Sequence, residues 1–245
     1  APIPQYRLHT ILGIWAAAAV PMALLAWVVA PAVADHLPGP SPMARALLLA
    51  LTAGLVWQFV LVAVLVHREC GTWRWSAVRR ALWLVAPTSP RTGRSGGRVW
   101  WMLVPFAAVF ALEEFLPAIP PVAGHDLPAF LDSPDGTALL GGNWGWFAVI
   151  VALAVFNTVL GEELLFRGLL LPRMNGVFGR FDWVANGVLF GAYHLHMPWA
   201  IPTAMLDTIA LAYPSRRYQS AWMGIIIHSA QSVVIVVATV AVVLR

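Results

Sequence analysis

Four ionisable side chains in apolar stretches of this sequence are of the types that activate water. Glu162 and Glu163 close one long apolar run, His194 lies in the next run, and His228 lies in the last. Ionisable groups at hydrocarbon depth are costly unless they are paired, hydrated or protonated, so they mark functional sites. A buried carboxylate can act as a general base on water, an imidazole can share that water, and further donors can hold an oxyanion. The four residues therefore point to hydrolysis of an amide.

The acidic pair belongs to the run Glu162-Glu163-x-x-x-Arg167. Glu163 and Arg167 are four residues apart, so on a helix they share a face and can form an ion pair. Glu162 is rotated by roughly 100° and is left free for another partner. This spacing predicts one structural and one reactive carboxylate. The alternative is that both acids only cap a helix end beside Arg167.

Polar and aromatic side chains accompany the two histidines at helical spacing. The stripe on the first of these helices contains Asn186, Phe190 and His194, and the next turn after His228 contains Gln231 and Ser232. The alternative interpretation is interhelical hydrogen bonding, because His, Gln, Asn and Ser commonly join helices in membrane bundles.

Other hydrolytic chemistries have less support. The sequence contains no Gly-x-Ser-x-Gly elbow and no His-Glu-x-x-His pair, and its single cysteine, Cys70, excludes both an intrachain disulfide and a thiolate zinc site. We therefore expect no cofactor and no metal, with a catalytic zinc as the minority alternative.

The composition indicates a polytopic membrane protein. The chain is 60% hydrophobic and 11% charged, whereas a soluble domain is typically about 25% charged. Apolar runs of about 20 residues predict an all-α transmembrane bundle that forms a single domain over residues 1–245. The seven predicted spans are about Thr10–Val33, Ala46–Val66, Trp100–Ile119, Trp144–Phe166, Trp183–Met197, Ile201–Ala212 and Ala221–Leu244. Alternating tryptophans, aliphatic residues and arginines also predict an interfacial amphipathic helix between Trp73 and Leu84.

Arginine asymmetry predicts the orientation. The stretch from Arg68 to Arg98 carries seven arginines, and the stretch from His125 to Asn143 carries none but has three aspartates. By the positive-inside rule, the first stretch and the N-terminus are cytoplasmic. The first apolar run is longer than a signal-peptide core, so we expect a retained helix.

Three further acids lie in or near the predicted spans. Glu113 and Glu114 are expected to be interfacial at the outer end of the third span, and the alternative is a broken span in which they line the same cavity as Glu162. Asp207 in the sixth span is expected either to pair with another residue or to lie beside that cavity.

Taken together, the three motifs resemble those of a known family. Glu162-Glu163-x-x-x-Arg167, then Phe190-x-x-x-His194, then His228 are similar in order and spacing to the motifs of the CAAX protease and bacteriocin-processing (CPBP) family. This is the family of the type II CAAX prenyl endopeptidases and of the bacterial intramembrane glutamic endopeptidases, or abortive-infection proteins. The resemblance covers a core of residues 144–237.

The resemblance implies an intramembrane endopeptidase that cleaves a peptide bond near the cytoplasmic face of a bacterial inner membrane or plasma membrane. Glu162 and His194 would activate the water, His228 would help to stabilise the oxyanion, and Glu163 with Arg167 would hold the site together. The implied partners are membrane lipids and a membrane-associated peptide or protein, lipidated or not, and no nucleic acid.

The sequence departs from the family pattern at Ser232, where the family usually has Asn. A serine hydroxyl reaches less far than an Asn amide, so either Gln231 substitutes, the oxyanion hole is weaker, or activity is altered or absent. This departure motivates the alternative of a catalytically silent scaffold that retains the fold to bind a partner. A lipid or proton transporter with a Glu/His relay is a third hypothesis, although no internal repeat supports it.

Overall fold

The computed structural model describes residues 3–117 and 119–244, without the side chain of Glu114. Every regular element in these residues is helical. The helices are α1 (Leu8–Ala34), α2 (Pro42–Cys70), α3 (Trp75–Ala81), α4 (Gly97–Ala111), α5 (Leu127–Leu131), α6 (Pro134–Leu140), α7 (Trp144–Arg173), α8 (Asn175–Phe178), α9 (Asp182–Tyr193), α10 (Ile201–Ala204), α11 (Tyr213–Tyr218) and α12 (Trp222–Val243). The predicted all-α class is therefore confirmed for the described residues.

Four of these helices, α1, α2, α7 and α12, are long and apolar enough to cross a membrane. They correspond to the predicted first, second, fourth and seventh spans. The apolar helix α4 is shorter, and the predicted sixth span is divided between α10 and a π-helical stretch at Thr208–Ala212, after which α11 begins. The integral membrane class is supported by four helices, and the count of seven spans stays a prediction.

The helix α7 lies at the centre of the bundle. Its residues Leu164 to Arg173 are all buried, and α2, α9 and α12 pack around it. A Cβ added at Gly161 would lie 2.5 Å from the Phe156 carbonyl oxygen and 3.1 Å from the Leu55 carbonyl oxygen of α2. Glycine at this position therefore allows the backbone of α2 to approach α7 immediately before Glu162.

The predicted interfacial helix corresponds to the short α3. Trp73 and Trp75 are exposed at its beginning, whereas Leu82 and Leu84 after its end are buried in the main hydrophobic cluster. The segment after α3 therefore turns into the core of the bundle, and the interfacial position of α3 stays a prediction.

An ion pair between a buried arginine and a partly exposed glutamate joins several elements at one end of the bundle. Arg173, at the end of α7, donates hydrogen bonds to both carboxylate oxygens of Glu69 on α2 and to the carbonyl oxygens of Ala81 and Leu169. The Tyr6 hydroxyl also donates to Glu69, and the Tyr6 N–H donates to the Arg173 carbonyl oxygen at 2.9 Å. Arg173 therefore anchors α7, α2, α3 and the N-terminal segment to one another.

Candidate active site

Glu162 and Glu163 lie where the geometry of α7 changes. A π-helical stretch at Phe156–Gly161 precedes them, and a second at Leu164–Leu170 follows. The π-helical geometry is rare and often occurs at functional sites. Both acids are buried, with exposed fractions of 2% for Glu162 and 0% for Glu163. Because burying an unpaired charge is costly, their neighbours decide what they can do.

Glu163 faces two cationic or ionisable partners through one oxygen atom. Its Oε1 lies 3.0 Å from Nη1 of Arg167 and 3.1 Å from Nδ1 of His228. The Arg167 guanidinium also lies 4.0 Å from the centroid of the Phe190 ring, in a cation–π arrangement. The i, i+4 pair that the sequence predicts is present, and it extends to His228 on α12.

The close approach of α12 depends on Gly224. A Cβ at this position would collide with Oε2 of Glu163 and would lie 3.1 Å from both Cγ of Arg167 and Oγ of Ser215. The Gly224 N–H donates to Oγ of Ser215 at 3.1 Å. A glycine one turn before His228 therefore allows the histidine to reach Glu163.

Glu162 is held by a different set of side chains. The Tyr193 hydroxyl shares a hydrogen bond with Glu162, and it accepts one from Nε2 of Gln58 at 2.6 Å. Because the tyrosine oxygen accepts from the amide, its hydrogen is directed at the carboxylate. The charges of Glu163, Arg167 and His228 also act on Glu162.

Sequence reasoning missed both Tyr193 and Gln58. Gln58 is a lone amide in the apolar helix α2, and it is buried in the bundle with Tyr193. The Gln58 amide is a sequence signal for a buried polar contact, because a polar side chain inside a membrane helix requires a partner. The partner could not be identified, since it lies 135 residues away in the sequence.

His194 occupies the turn that follows α9. Its Nδ1 lies 3.0 Å from the Phe190 carbonyl oxygen, so Nδ1 carries the hydrogen and Nε2 is left with its lone pair. The ring lies edge-on to Phe190 at 5.0 Å and to Tyr193 at 5.2 Å. The turn thus places an imidazole base beside the tyrosine that contacts Glu162.

The remaining predicted side chains have other partners. Asn186 is buried and donates to the Phe166 carbonyl oxygen at 2.8 Å, so it joins α9 to α7. Ser232 donates to the Ala154 carbonyl oxygen at 3.4 Å. Gln231 is exposed on α12. The structure therefore does not bring these three side chains to the two carboxylates.

A second acidic pair lies near the site. The α-helical geometry of α4 ends at Ala111 and tightens into a 3-10 turn at Leu112–Phe115, which carries Glu113. Glu113 shares a hydrogen bond with Asp207, which is buried and interacts electrostatically with His228 and Arg167. Through Asp207, Glu113 therefore lies near His228 and Arg167. The side chain of Glu114 lies outside the described residues.

Among the described residues, no group of three or more His, Cys, Asp or Glu side chains is arranged to hold a metal ion. The four site residues instead contact protein partners, mainly Arg167, Tyr193 and the Phe190 carbonyl group.

The segment that carries all three motifs matches a protein family. Residues 144–234 match the Rce1-like family of type II CAAX prenyl endopeptidases. The match confirms the resemblance that the motifs indicated. No curated protein and no solved structure matches the chain.

The Rce1-like segment includes Glu162, Glu163, His194 and His228, and it excludes α2 and α4. Gln58 on α2 and Glu113 after α4 therefore reach the site from outside the matched residues. Together with the apolar helices, the match indicates an integral membrane protein with a protease-family core.

Proposed function

We propose that this protein is an intramembrane endopeptidase in which Glu162 and His194 activate a water molecule. The proposal is supported by the contacts that link the four residues: His228 contacts Glu163, and Glu162 is hydrogen-bonded to Tyr193. The rings of His194 and His228 both lie edge-on to Phe190. Separate packing roles would not require a histidine and an arginine to converge on the same glutamate oxygen.

In the first step, Glu162 accepts a proton from water while Nε2 of His194 accepts a hydrogen bond from the same water. The resulting hydroxide attacks the carbonyl carbon of the scissile peptide bond. The hydrogen bond from Tyr193 fixes the Glu162 carboxylate for this role, and the bond from Nδ1 of His194 to the Phe190 carbonyl oxygen fixes the imidazole.

In the second step, the negative charge on the former carbonyl oxygen is stabilised by His228. An imidazolium at His228 donates from Nδ1 to Glu163 and from Nε2 to the oxyanion. The tetrahedral intermediate then collapses, the carbon–nitrogen bond breaks, and the proton held by Glu162 passes to the leaving amine. One water is consumed, and one carboxylate and one amine are formed.

A catalytically silent scaffold is the second candidate function. Ser232 donates to the backbone of Ala154, and Gln231 is exposed, so His228 is the only predicted oxyanion donor near the carboxylates. Losing one such donor typically costs about 2.7–4 kcal/mol of barrier. On this alternative, the fold would serve to bind a membrane partner.

The membrane context forms part of the proposal. We place the N-terminus and the arginine-rich stretch 68–98 on the cytoplasmic side of a bacterial inner membrane or a plasma membrane, with seven spans in total. The substrate is a membrane-associated peptide or protein, prenylated or unmodified. The reaction requires no cofactor and no metal.

The test uses the purified full chain in lipid nanodiscs with a peptide library that contains prenylated and unmodified cysteines. We expect cleavage by the wild type, none by Glu162→Ala or His194→Ala, and unchanged cleavage by the control His67→Ala. Chelators should have little effect on the rate. Absence of any Glu162-dependent cleavage contradicts the proposal, and a partner that co-purifies equally with Glu162→Ala favours the scaffold.

A further inference from the structure

A concave pocket lined by arginines lies at the end of the bundle where Tyr218 meets the loop between α3 and α4. Its volume is about 970 Å³, and its lining includes Arg91, Arg94, Arg98 and Arg217. We call it the arginine pocket. It is distinct from the site around Glu162, because no residue of that site lines it.

The loop that forms this pocket is held in a defined conformation. Thr88 and Ser95 form a short antiparallel bridge, with their hydroxyl oxygens 2.7 Å apart. The N–H groups of Ser89 and Gly96 donate to the Arg94 and Pro87 carbonyl oxygens, each at 2.9 Å. Gly96 has a φ of +72°, which favours glycine. The arginines therefore extend from a turn whose conformation is fixed by hydrogen bonds.

The same loop is fixed to the segment that carries Arg217. The Thr88 N–H donates to the Tyr218 carbonyl oxygen at 2.8 Å, and the Ala221 N–H donates to the Trp83 carbonyl oxygen at 2.9 Å. Arg91 and Arg217 both act electrostatically on the Tyr218 side chain. Two segments far apart in sequence thus present their guanidinium groups to one space.

No protein carboxylate neutralises these four arginines among the described residues. The sequence contains no Asp or Glu from Cys70 to Leu112. Among the described residues, the arginines that form salt bridges with acids are Arg167, Arg173 and Arg216. A cluster of four like charges around a concavity is repulsive, so it favours an anionic ligand.

The chemistry of the lining favours phosphate. Guanidinium groups bind phosphate oxygens in a bidentate manner, and the hydroxyl groups of Ser89, Thr92 and Ser95 add hydrogen-bond donors to the lining or its rim. On one side the lining continues into Val99 and Met102 at the start of the apolar helix α4, where Trp101 is 73% exposed. This apolar edge suits the hydrocarbon part of a lipid.

We propose that the arginine pocket binds phosphate, and that the phosphate is the headgroup of an anionic phospholipid whose acyl chains lie along α4. The pocket would recognise this lipid whether or not the Glu162 site hydrolyses peptides.

The test measures lipid binding to the purified full chain in detergent by native mass spectrometry. The probes are phosphatidic acid and phosphatidylcholine, with pyrophosphate as a soluble competitor. The pocket variant is Arg91→Gln/Arg94→Gln/Arg98→Gln. The matched control is Arg74→Gln/Arg79→Gln/Arg80→Gln, which removes the same charge on and beside α3 without touching the pocket lining.

We expect the pocket variant to lose affinity for phosphatidic acid by about tenfold or more, because several charge-assisted contacts are removed. The control should lose about twofold or less, and phosphatidylcholine should bind weakly to all three proteins. Millimolar pyrophosphate should displace phosphatidic acid from the wild type, a measurement that needs no variant.

Three results overturn the proposal. An equal loss of affinity in both triple variants would show diffuse surface attraction. Displacement by a polyglutamate peptide but not by pyrophosphate would identify a carboxylate-binding surface. Tight binding of pyrophosphate without binding of phosphatidic acid would support the phosphate site and overturn its assignment to a lipid.

Discussion

Two glutamate–arginine pairs whose arginines lie on α7 differ in how completely their hydrogen bonds are satisfied. In the Glu69–Arg173 pair, the guanidinium group makes five hydrogen bonds, to the carboxylate and to two carbonyl oxygens. In the Glu163–Arg167 pair, Nη1 of Arg167 lies 3.0 Å from Oε1 of Glu163. The three guanidinium nitrogens of Arg167 nevertheless lack a hydrogen bond of good geometry, and Oε2 of Glu163 has no hydrogen-bond partner.

This difference indicates that the Glu69–Arg173 pair is a structural anchor and that the Glu163–Arg167 pair belongs to the proposed active site. Buried polar groups in folded proteins are nearly always hydrogen-bonded, so each exception needs an explanation. The Arg173 pair holds four chain segments together, and each of the three guanidinium nitrogens has a hydrogen-bond partner. The Arg167 pair keeps polar atoms unsatisfied next to Glu162 and His228, as expected where a substrate carbonyl group and a water must bind.

The largest expected effect comes from removing the base while keeping its shape. Glu162→Gln should lower kcat by about 10²- to 10⁴-fold, the usual contribution of a positioned general base. Glu69→Gln, the matched change in the anchor, should leave the kcat of the folded protein nearly unchanged. Single-turnover cleavage in nanodiscs measures both. Equal losses in the two variants would remove the distinction between anchor and site.

Replacing the arginines should affect stability in the opposite order: the loss of stability should be larger in the Glu69–Arg173 pair than in the Glu163–Arg167 pair. Arg173→Leu leaves Glu69 without its cation and breaks five hydrogen bonds, so it should lower the free energy of unfolding by about 3–5 kcal/mol. Arg167→Leu removes no direct hydrogen bond and leaves His228 as the partner of the buried Glu163 carboxylate, so it should cost less, about 1–3 kcal/mol. Unfolding in mixed micelles measures both values, and a greater loss for Arg167→Leu would contradict the comparison.

Some features of these pairs and of the fold follow from the sequence, and others do not. The Glu163–Arg167 pair follows from i, i+4 spacing, and the all-α membrane class follows from composition, because both are local properties. The Glu113–Asp207 contact does not follow from the sequence, because it depends on where α4 ends. The Gln58–Tyr193–Glu162 series required knowledge of which helices are adjacent, and a single sequence does not contain that information.

The direction of the Gln231 side chain is a further feature that the sequence alone does not determine. Gln231 and Ser232 both lie one turn beyond His228, but adjacent residues on a helix point about 100° apart. In the structure Ser232 is buried against α7 and Gln231 is exposed. Packing of α12 against α7, rather than spacing alone, decides which of the two is near the core.

A smaller effect is expected from Tyr193→Phe. The substitution keeps the ring and removes the hydroxyl that joins Gln58 to Glu162, so kcat should fall by about tenfold, the value of one buried hydrogen bond. Gln58→Leu should have a weaker effect in the same direction, and KM should change little in both. A change confined to KM would show that Tyr193 acts on substrate binding instead of on Glu162.

The smallest effect is expected at Ser232. Because its hydroxyl is directed at the Ala154 carbonyl oxygen, Ser232→Ala should leave kcat unchanged within about twofold. Ser232→Asn introduces a longer donor and should raise kcat by up to about tenfold if it reaches the oxyanion. Steady-state cleavage rates measure both variants. A large loss in Ser232→Ala would place the serine hydroxyl in the site.

The most direct test of the central claim is a comparison of protein termini in membranes of cells that carry the wild type, Glu162→Gln or Glu69→Gln at equal abundance. We predict a set of new termini that is present with the wild type and with Glu69→Gln and is absent with Glu162→Gln. Identical termini in all three membranes would contradict the assignment of Glu162 as the base of a protease.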